Sequence, residues 1–226
     1  MSLDAQLLAE LEPGGLPILH FYDWARASAT YGHFIDLKKH LDLEKVKRYR
    51  LALAKRPTGG GVVFHIWDFA FSFLMPADHP ACSKNTLENY QFVNGIVLET
   101  VAEHLALQPS LIPEPLPALG PQCNHFCMAR PTIYDVVYEG KKVAGAAQRR
   151  TRQGYLHQGT ISLAFPHFGL LKEVLLSQEE VTRAMETYTF APLGSLSRPD
   201  ELKRVRVELQ RLLEQKFLAK LEAIPL

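Results

Sequence analysis

The sequence predicts an α+β domain with a mixed β-sheet, flanking helices and a helical C-terminus. Three observations lead to this prediction: β-rich runs that do not alternate strictly with helices, a long amphipathic segment in mid-chain, and helical periodicity near the end. A length of 226 residues suits one domain. We therefore expect a single domain over residues 1–226, with its core at about 18–166 and C-terminal helices at 167–226.

The first third of the chain predicts two helices and three strands. The acidic start predicts a short helix that ends at Gly14 and Gly15, and residues 18–22 form an apolar run typical of a buried strand. Residues 37–49 are charged, with apolar positions at helical spacing, which indicates an exposed helix. Residues 61–65 and 69–75 are β-rich runs directly after three glycines, and their spacing predicts a hairpin-like pair.

The middle of the chain predicts a long helix, a proline-rich connector and further strands. Residues 83–108 keep apolar side chains at helical spacing, and the positions concerned are Leu87, Tyr90, Val97, Val101 and Leu105. Residues 109–121 contain five prolines, so a helix cannot continue through them. Residues 134–138, closed by Glu139 and Gly140, and residues 160–165 are strand candidates.

The end of the chain predicts helices. Ser177 with Glu180 and Ser197 with Asp200 have the spacing of a capping box, in which side chains at the start of a helix satisfy free backbone N–H groups. The last helix carries an apolar stripe that predicts its buried face, formed by Leu202, Val205, Leu209, Leu212, Leu213 and Leu221.

Composition narrows the class of protein. The formal net charge of +1 provides no global field that attracts nucleic acid or an acidic membrane, so any basic site must be local. The three cysteines do not resemble a disulfide framework and suit a reducing compartment. We expect a cytoplasmic protein, because the N-terminus lacks a signal-peptide pattern and no stretch approaches the roughly 18 apolar residues of a membrane helix.

The first segment that could form a functional site is residues 55–65, with the sequence KRPTGGGVVFH. Consecutive glycines let another group approach the backbone closely and leave N–H groups free to face an anion. Arg56 precedes them and could pair with a phosphate or carboxylate. Neither the phosphate-loop pattern nor the dinucleotide fingerprint is present. Spacing alone therefore indicates an anion-binding loop, and for the glycines by themselves a tight turn is the simpler interpretation.

The second segment is residues 141–159, which contain the strongest basic cluster of a nearly neutral chain. Its cations are Lys141, Lys142, Arg149, Arg150 and Arg152. Small residues at 144–147 again permit close approach of a ligand. On composition alone, a solvated basic hairpin, with or without RNA contacts, explains this segment equally well.

Together, these two segments resemble the signature of the lipoate–protein ligase and octanoyltransferase family, which shares its catalytic fold with biotin ligases. The first motif of that family is matched by residues 55–65, and the second by the run KVAGAA at residues 142–147 followed by His157, Gln158 and Gly159. The resemblance covers roughly residues 18–166 and implies a biotin/lipoate ligase type of catalytic domain. Lys55, Pro57 and Ile66 depart from the pattern. We expect a compact form without an accessory domain.

The resemblance also implies roles for individual residues. Lys142 matches the catalytic lysine, which stabilises the charge that develops on the acyl carbonyl. Cys127 matches the cysteine that forms an acyl thioester in the cysteine-dependent octanoyltransferases, and a nearby lysine favours its thiolate. The expected substrate-binding residues are Arg56, Thr58, Gly59, Gly60, Gly61, His65, Gly145, Ala147, His157 and Gly159.

Two routes of acyl activation follow. In one, Cys127 takes an octanoyl or lipoyl group from a carrier thioester and passes it to an acceptor lysine, with no cofactor required. In the other, ATP and magnesium activate free lipoate or octanoate as an acyl-adenylate beside Lys142. Cys127 and the short chain favour the first route. A buried structural role remains the alternative for Cys127, and Cys123 with Cys127 is too weak a pattern to predict a metal site.

The resemblance implies lipoyl-domain proteins as acceptors, namely subunits of 2-oxoacid dehydrogenases and the H protein of glycine cleavage, with acyl carrier protein as a candidate donor. We expect a monomer that acts without a membrane or nucleic acid. A hypothesis of another class is a non-catalytic acyl- or RNA-binding module on the same fold, motivated by the arginines at 149–152.

Overall fold

Two β-sheets organise the computed structural model, which describes residues 1–194 and 199–224. Its strands are β1 (Ile18–Phe21), β2 (Ser28–Tyr31), β3 (Ala52–Lys55), β4 (Val62–His65), β5 (Asp68–Pro76), β6 (Ser110–Leu111), β7 (Val136–Tyr138), β8 (Lys141–Arg150) and β9 (Gly154–Ser162). The large sheet has the antiparallel order β1-β5-β9-β8-β7-β6. The small sheet has the order β3-β2-β4 and is mixed, since β2 runs parallel to β3 and antiparallel to β4.

Helices cover the sheets, which confirms the predicted α+β class. They are α1 (Ser2–Ala9), α2 (Leu43–Arg48), α3 (Thr86–Leu105), α4 (Phe168–Val174), α5 (Gln178–Tyr188) and α6 (Pro199–Glu222). Short 3-10 turns occupy Leu37–Lys39, Pro121–His125 and Cys127–Ala129. Within residues 1–194 and 199–224, none of the helices combines the length and apolarity needed to cross a bilayer.

The main apolar core lies between the large sheet and the pair α3 and α6. Alternate residues of β5 point into it, and Phe73 stacks on Phe217 of α6 with ring centroids 4.5 Å apart. On the opposite face, Leu74 of β5 packs with Leu8 of α1. A second core joins the small sheet to α2, α4, α5 and the 3-10 turns. The open space between the two sheets is where the candidate site forms.

The hairpin predicted for residues 61–75 is wrong in its pairing, although both strands exist. β4 pairs with β2 in the small sheet, whereas β5 pairs with β1 and β9 in the large one. The two residues between these strands pack in different cores, Ile66 against the second core and Trp67 against the main core. The corner therefore moves the chain from one sheet to the other.

The single helix predicted for residues 37–49 is also wrong. The segment divides into a 3-10 turn and α2, because Asp42 caps α2 by accepting bonds from the backbone N–H groups of Glu44 and Lys45, each at 3.1 Å. Between these two pieces, buried Leu41 forms an isolated bridge with Leu175. A tertiary contact thus interrupts the helical pattern.

Several predicted ends needed correction. α1 stops at Ala9, well before Gly14, which takes a left-handed φ of +72° in a later turn. β1 is only half-buried, because it is an edge strand that pairs with β5 alone. The capping box at Ser177 does not form, since the Glu180 carboxylate accepts a bond from the Gln122 backbone N–H at 2.7 Å instead. The second predicted box depends on Ser197, which lies outside the described residues.

The long helix and the last helix are confirmed. α3 begins after Asn85, whose side chain caps it at Leu87 N, and Leu87 itself is exposed rather than buried. The expected stripe of α6 is buried from Leu202 to Leu213, with Phe217 continuing it. The strand expected at 160–165 belongs to β9, which starts at Gly154. β2 and β3, each of four residues, were not predicted.

Candidate active site

A narrow cavity lies between the two sheets and contains about 410 Å³ of empty space, its open mouth included. The small sheet contributes Thr30, Val63 and His65 to its lining, and β8 and β9 contribute residues 145–147 and 158–160. Small side chains make the space available: Gly145 and Ala147 stand opposite Thr160 and Gln158 in the β8–β9 register. The surface of the cavity is mostly apolar, which suits an alkyl chain.

The glycine loop at residues 59–61 borders this cavity and is held from behind by Arg56. The Arg56 guanidinium is buried and donates to the carbonyl oxygens of Gly59, at 3.1 Å, and Gly61, at 2.7 Å. A third bond reaches Thr30 Oγ1 at 2.6 Å. Arg56 lines the cavity as predicted. Its three hydrogen bonds hold the glycine loop and Thr30 in place, so the structure assigns it to shaping the loop and not to binding an anion.

Cys127 lies against the last glycine of the loop. The Gly61 backbone N–H donates to Cys127 Sγ at 3.2 Å, and Cys127 is a half-buried free cysteine. Gly61 has no room for a side chain, because an added Cβ would stand 2.2 Å from the His125 carbonyl oxygen. The glycine therefore allows the strand that carries it to approach the turn that carries Cys127. The N–H bond from Gly61 fixes the position of the sulfur beside the loop.

Lys142 forms a buried ion pair beside Cys127. Its Nζ lies 2.7 Å from Asp135 Oδ2 and donates to the Cys127 carbonyl oxygen at 2.9 Å. Asp135 is itself oriented by two bonds from Thr132, at 2.6 Å from the backbone N–H and 2.9 Å from the hydroxyl. Gly145 makes room for the pair, because a Cβ there would stand 2.2 Å from Lys142 Cε. Lys142 is thus immobilised and its charge is balanced by Asp135.

A buried hydrogen-bonded chain forms the other wall of the narrow cavity. His65 Nδ1 donates to Asp68 Oδ2 at 2.6 Å, and His65 Nε2 lies 2.8 Å from Thr30 Oγ1. Thr160 donates to the same Asp68 oxygen at 2.5 Å. Burial alone would raise the pKa of Asp68, but the attraction of His65 and the bonds from His65 and Thr160 outweigh it, so the pKa is lowered. Trp24 stacks on His65 with ring centroids 4.3 Å apart.

A wide cavity lies on the other side of Cys127 and contains about 700 Å³ of empty space. Of the residues that the structure describes, it shares only Cys127, Lys142, Ala146 and Ala147 with the narrow cavity. These four residues therefore form the wall between the two spaces. All three loop glycines line the wide cavity, about half of whose surface is polar.

Most of the predicted site residues converge on these two cavities. The catalytic candidates Cys127 and Lys142 line both, and the substrate-binding candidates that line at least one are Arg56, Gly59, Gly60, Gly61, His65, Gly145, Ala147 and Gly159. Thr58 and His157 line neither. Thr58 is buried and donates to Gln158 Oε1 at 2.8 Å, which ties the loop to β9.

His157 lies in the main core, behind Tyr90 and Gln148 of the wide cavity. Its ring packs near Phe71 and Tyr90, and its Nδ1 lies 2.8 Å from Gln148 Nε2. Burial lowers the pKa of His157 from its ordinary value to about 3, so it is neutral at physiological pH. Side chains alternate across a strand, so His157 faces the core while Gln158 faces the narrow cavity.

Reasoning from the sequence missed Asp135, Asp68 and Thr30 as parts of the site. Asp135 had a local signal, since it follows Cys127 by eight residues in the segment that leads to Lys142. Asp68 had a weaker one as a carboxylate three residues after His65. Thr30 had none, because it comes from a strand that was not predicted. In the described part of the chain, no three His, Cys, Asp or Glu side chains gather as a metal site.

The basic segment is only partly free for a partner. Arg149 donates to the Pro57 carbonyl oxygen at 3.3 Å, which links β8 to the glycine loop. Arg150 donates to the carbonyl oxygens of Ser83 and Lys84, at 2.9 and 2.6 Å. Two of the arginines that motivated an RNA-binding hypothesis thus form contacts within the fold.

Comparison with known proteins gives one family. The family model described as the lipoyl protein ligase A/B catalytic domain matches residues 1–204. Octanoyltransferase LipM of Geobacillus kaustophilus is 34% identical over 169 residues, a match that covers 72% of this chain and 60% of that protein. Octanoyltransferase LipM of Bacillus subtilis is 31% identical over 192 residues, covering 82% and 68%. The chain thus spans about 60 to 68% of the length of these relatives.

Solved structures share the fold. A lipoate-protein ligase A bound with ATP is similar with a TM-score of 0.71 at 23% identity, covering 95% of this chain and 78% of that one. A bipartite lipoate protein ligase from Thermoplasma acidophilum has a TM-score of 0.68 at 22% identity, covering 95% and 76%. At this level of identity the similarity establishes the architecture alone, and it confirms the fold type that the two motifs predicted.

Proposed function

This chain belongs to the family of lipoyl protein ligase A/B catalytic domains, and from that membership we propose that it transfers an octanoyl or lipoyl group to a lysine of lipoyl-domain proteins through a thioester on Cys127. The observation that carries the proposal is the position of Cys127, on the wall between a narrow apolar cavity and a wide polar one, with Lys142 beside it. The name of the two relatives, octanoyltransferase, supports the same chemistry.

The first half-reaction forms the acyl-enzyme. Cys127 Sγ attacks the carbonyl carbon of the donor thioester, a new C–S bond forms, and the donor C–S bond breaks. The proton of the Cys127 thiol passes to the departing donor sulfur, so the carrier leaves as a free thiol. The alkyl chain occupies the narrow cavity, whose floor of Gly145 and Ala147 leaves room for it.

The second half-reaction transfers the acyl group to the acceptor. The neutral amine of the acceptor lysine attacks the thioester carbonyl, an amide forms, and Cys127 is released as a thiol. Negative charge develops on the carbonyl oxygen in both steps, and Lys142, held by Asp135 and by the Cys127 carbonyl oxygen, supplies a fixed cation at this wall. Because the cation is already oriented, little reorganisation accompanies the reaction.

The acyl-enzyme gives a direct test. Incubation of the protein with an octanoyl thioester should add one octanoyl group to Cys127, detected by intact mass and peptide mapping. The acyl group should then move to an added lipoyl domain. Cys127→Ser should abolish both events, because a neutral hydroxyl is a far weaker nucleophile than a thiolate. Cys82→Ser is the matched control, since Cys82 is a free cysteine that lines neither cavity, and it should leave both events intact.

The same experiment distinguishes the ATP-dependent route. Octanoate or lipoate with ATP and magnesium replaces the thioester in a parallel reaction. Lipoyl-domain acylation that requires ATP and persists in Cys127→Ser would mean that an acyl-adenylate is the intermediate, and would overturn the thioester proposal. Loss of transfer in Cys82→Ser as well would also contradict the assignment to Cys127.

A further inference from the structure

The wide cavity differs in chemistry from the narrow one. Its lining includes hydrogen-bonding side chains from three parts of the chain, namely Tyr90, Asn124, Thr132 and Gln148. Tyr90 is half-buried, and desolvation raises its pKa to about 12, so its hydroxyl stays protonated. Hydroxyl and amide groups of this kind both donate and accept hydrogen bonds. The wide cavity therefore suits a ligand with amide groups better than it suits an alkyl chain.

The charge of the wide cavity is positive. Arg130 and Lys142 line it, and no Asp or Glu is found among its lining residues in the described ranges. Lys142 is already balanced by Asp135 at 2.7 Å. Arg130 forms no salt bridge with any described carboxylate, so its charge is the uncompensated one.

Arg130 is also held in position. Its Nε donates to the Leu116 carbonyl oxygen at 2.7 Å, and its Nη1 donates to Asn124 Oδ1 at 2.6 Å. Among the described residues, Nη2 has no hydrogen-bond partner, so this nitrogen is available to a ligand. An arginine fixed at two nitrogens loses little side-chain entropy on binding, and its remaining donors suit a phosphate group.

We propose that the wide cavity binds the flexible arm that carries the acyl group on the donor, and that Arg130 binds a phosphate ester on that arm. We call this cavity the donor port. This inference rests on the proposed function, because it assigns the donor that supplies Cys127. The arm is a flexible chain with amide groups, a terminal thioester and a phosphate at its far end. The acyl chain then enters the narrow cavity while the rest of the donor stays on the polar side of the wall.

We infer that the acceptor lysine also reaches Cys127 through the wide cavity, because this space borders the sulfur and opens to solvent. The donor arm must then leave the wide cavity before the acceptor lysine enters it. Arg130 would therefore act on the first half-reaction only. A nucleotide also carries phosphate, so the test must separate a nucleotide from a thioester arm.

The test compares two donors that differ only in the phosphate, octanoyl-phosphopantetheine and octanoyl-pantetheine. The rate of Cys127 acylation is measured by intact mass over a range of donor concentrations. Arg130→Gln should raise the KM for the phosphorylated donor about tenfold, the cost of one hydrogen bond to a charged group, and leave the KM for the unphosphorylated donor unchanged. Arg130→Lys, which keeps the charge, should recover part of the loss. Arg152→Gln is the control, since Arg152 is exposed and lines neither cavity.

The outcomes separate the donor port from the proposed function. An equal loss with both donors would mean that Arg130 only supports the Cys127 turn, and equal KM values throughout would mean that it binds nothing; either result overturns the donor port alone. Wild-type protein that is acylated on Cys127 by neither donor overturns the proposed function and the donor port with it. Octanoylation of a lipoyl domain from octanoate and ATP that fails in Arg130→Gln would place a nucleotide phosphate there instead.

Discussion

At the scale of single residues, the three loop glycines have different physical constraints. A Cβ on Gly59 would meet no atom within 4 Å. Gly60 has a φ of +82°, a left-handed conformation that L side chains rarely adopt. Gly61 has an ordinary φ but is packed against the His125 backbone, and its N–H reaches Cys127 Sγ. One triplet thus contains an open position, a conformational requirement and a packing requirement.

We expect Gly61→Ala to impair acylation strongly and Gly59→Ala to have little effect. The added methyl of Gly61→Ala would push β4 away from the turn at Cys127, and a displacement of about 1 Å between reacting groups can cost roughly a hundredfold in rate. The measurement is the acylation rate of each variant from octanoyl-pantetheine, with circular dichroism to verify the fold. Equal rates for the two alanine variants would refute the assigned role of Gly61.

At the scale of elements, the site depends on where strands and turns end. β4 carries His65 in the small sheet, and β5 begins with Asp68 in the large one, so the two-residue corner between them brings the two side chains within 2.6 Å of each other. The 3-10 turn Cys127–Ala129 presents the thiol, and β8 presents Lys142 at its second residue. Each functional group stands at or near an element end, where backbone position is set by tertiary contacts.

The last helix stabilises the sheet beneath the site through one aromatic residue. Phe217 is 2% exposed and stacks on Phe73 of β5. Phe217→Ala should lower the free energy of unfolding by about 3–5 kcal/mol, because it removes a buried aromatic ring and leaves a cavity. Leu218→Ala is the neighbouring control, since Leu218 is 60% exposed, and it should change stability by less than about 0.5 kcal/mol. Urea unfolding of both variants measures the difference, and a similar loss for both would contradict this account of α6 packing.

At the scale of the whole molecule, the candidate site lies between the two sheets, and the apolar cores behind them fix the positions of the sheets. The large sheet is covered by α3 and α6 on one face, and its other face looks toward α1 and the site. On β9, Gln158 faces the narrow cavity, whereas its neighbour His157 faces the main core. That the chain forms one domain over its whole length remains a prediction.

The neutral state of His157 should make the stability of the whole protein depend on pH. The pKa of His157 is about 3 in the folded protein, against an ordinary value of 6.5. Below pH 6.5, the unfolded chain therefore binds a proton at this residue and the folded protein does not. Stability from this residue is therefore complete above pH 6.5 and falls as the pH decreases toward 3. Between pH 7.5 and 5 the loss should be about 2 kcal/mol.

The measurement is chemical unfolding of the wild type and His157→Gln at both pH values. The variant should lose about 2 kcal/mol less than the wild type on acidification, because glutamine does not titrate. His33→Gln, at an exposed histidine, should keep the wild-type pH dependence. An unchanged slope in His157→Gln would show that the residue does not stay neutral in the folded protein.

By itself, the sequence determined the α+β class, the helices α3 and α6, and the family. Periodicity predicts helices because their buried stripe is local, and α6 shows this from Leu202 to Leu213. The glycines of the two motifs have physical causes, because close packing at Gly61 and Gly145 and the left-handed φ of Gly60 each favour glycine. Lys142 lies inside the second motif and Cys127 outside both. Their catalytic roles came from the resemblance to the family and remain predictions.

Only the tertiary structure decided which residues meet. Whether β4 and β5 form a hairpin depends on which core accepts Ile66 and Trp67, and that choice involves partners from distant parts of the chain. His157 could be assigned to the core only when the face of β9 was known, since a shift of one residue reverses every side chain of a strand. The pairing of Asp135 with Lys142, and of Arg56 with its own loop, likewise required three-dimensional distances. Local pattern specifies elements, whereas non-local packing specifies the site.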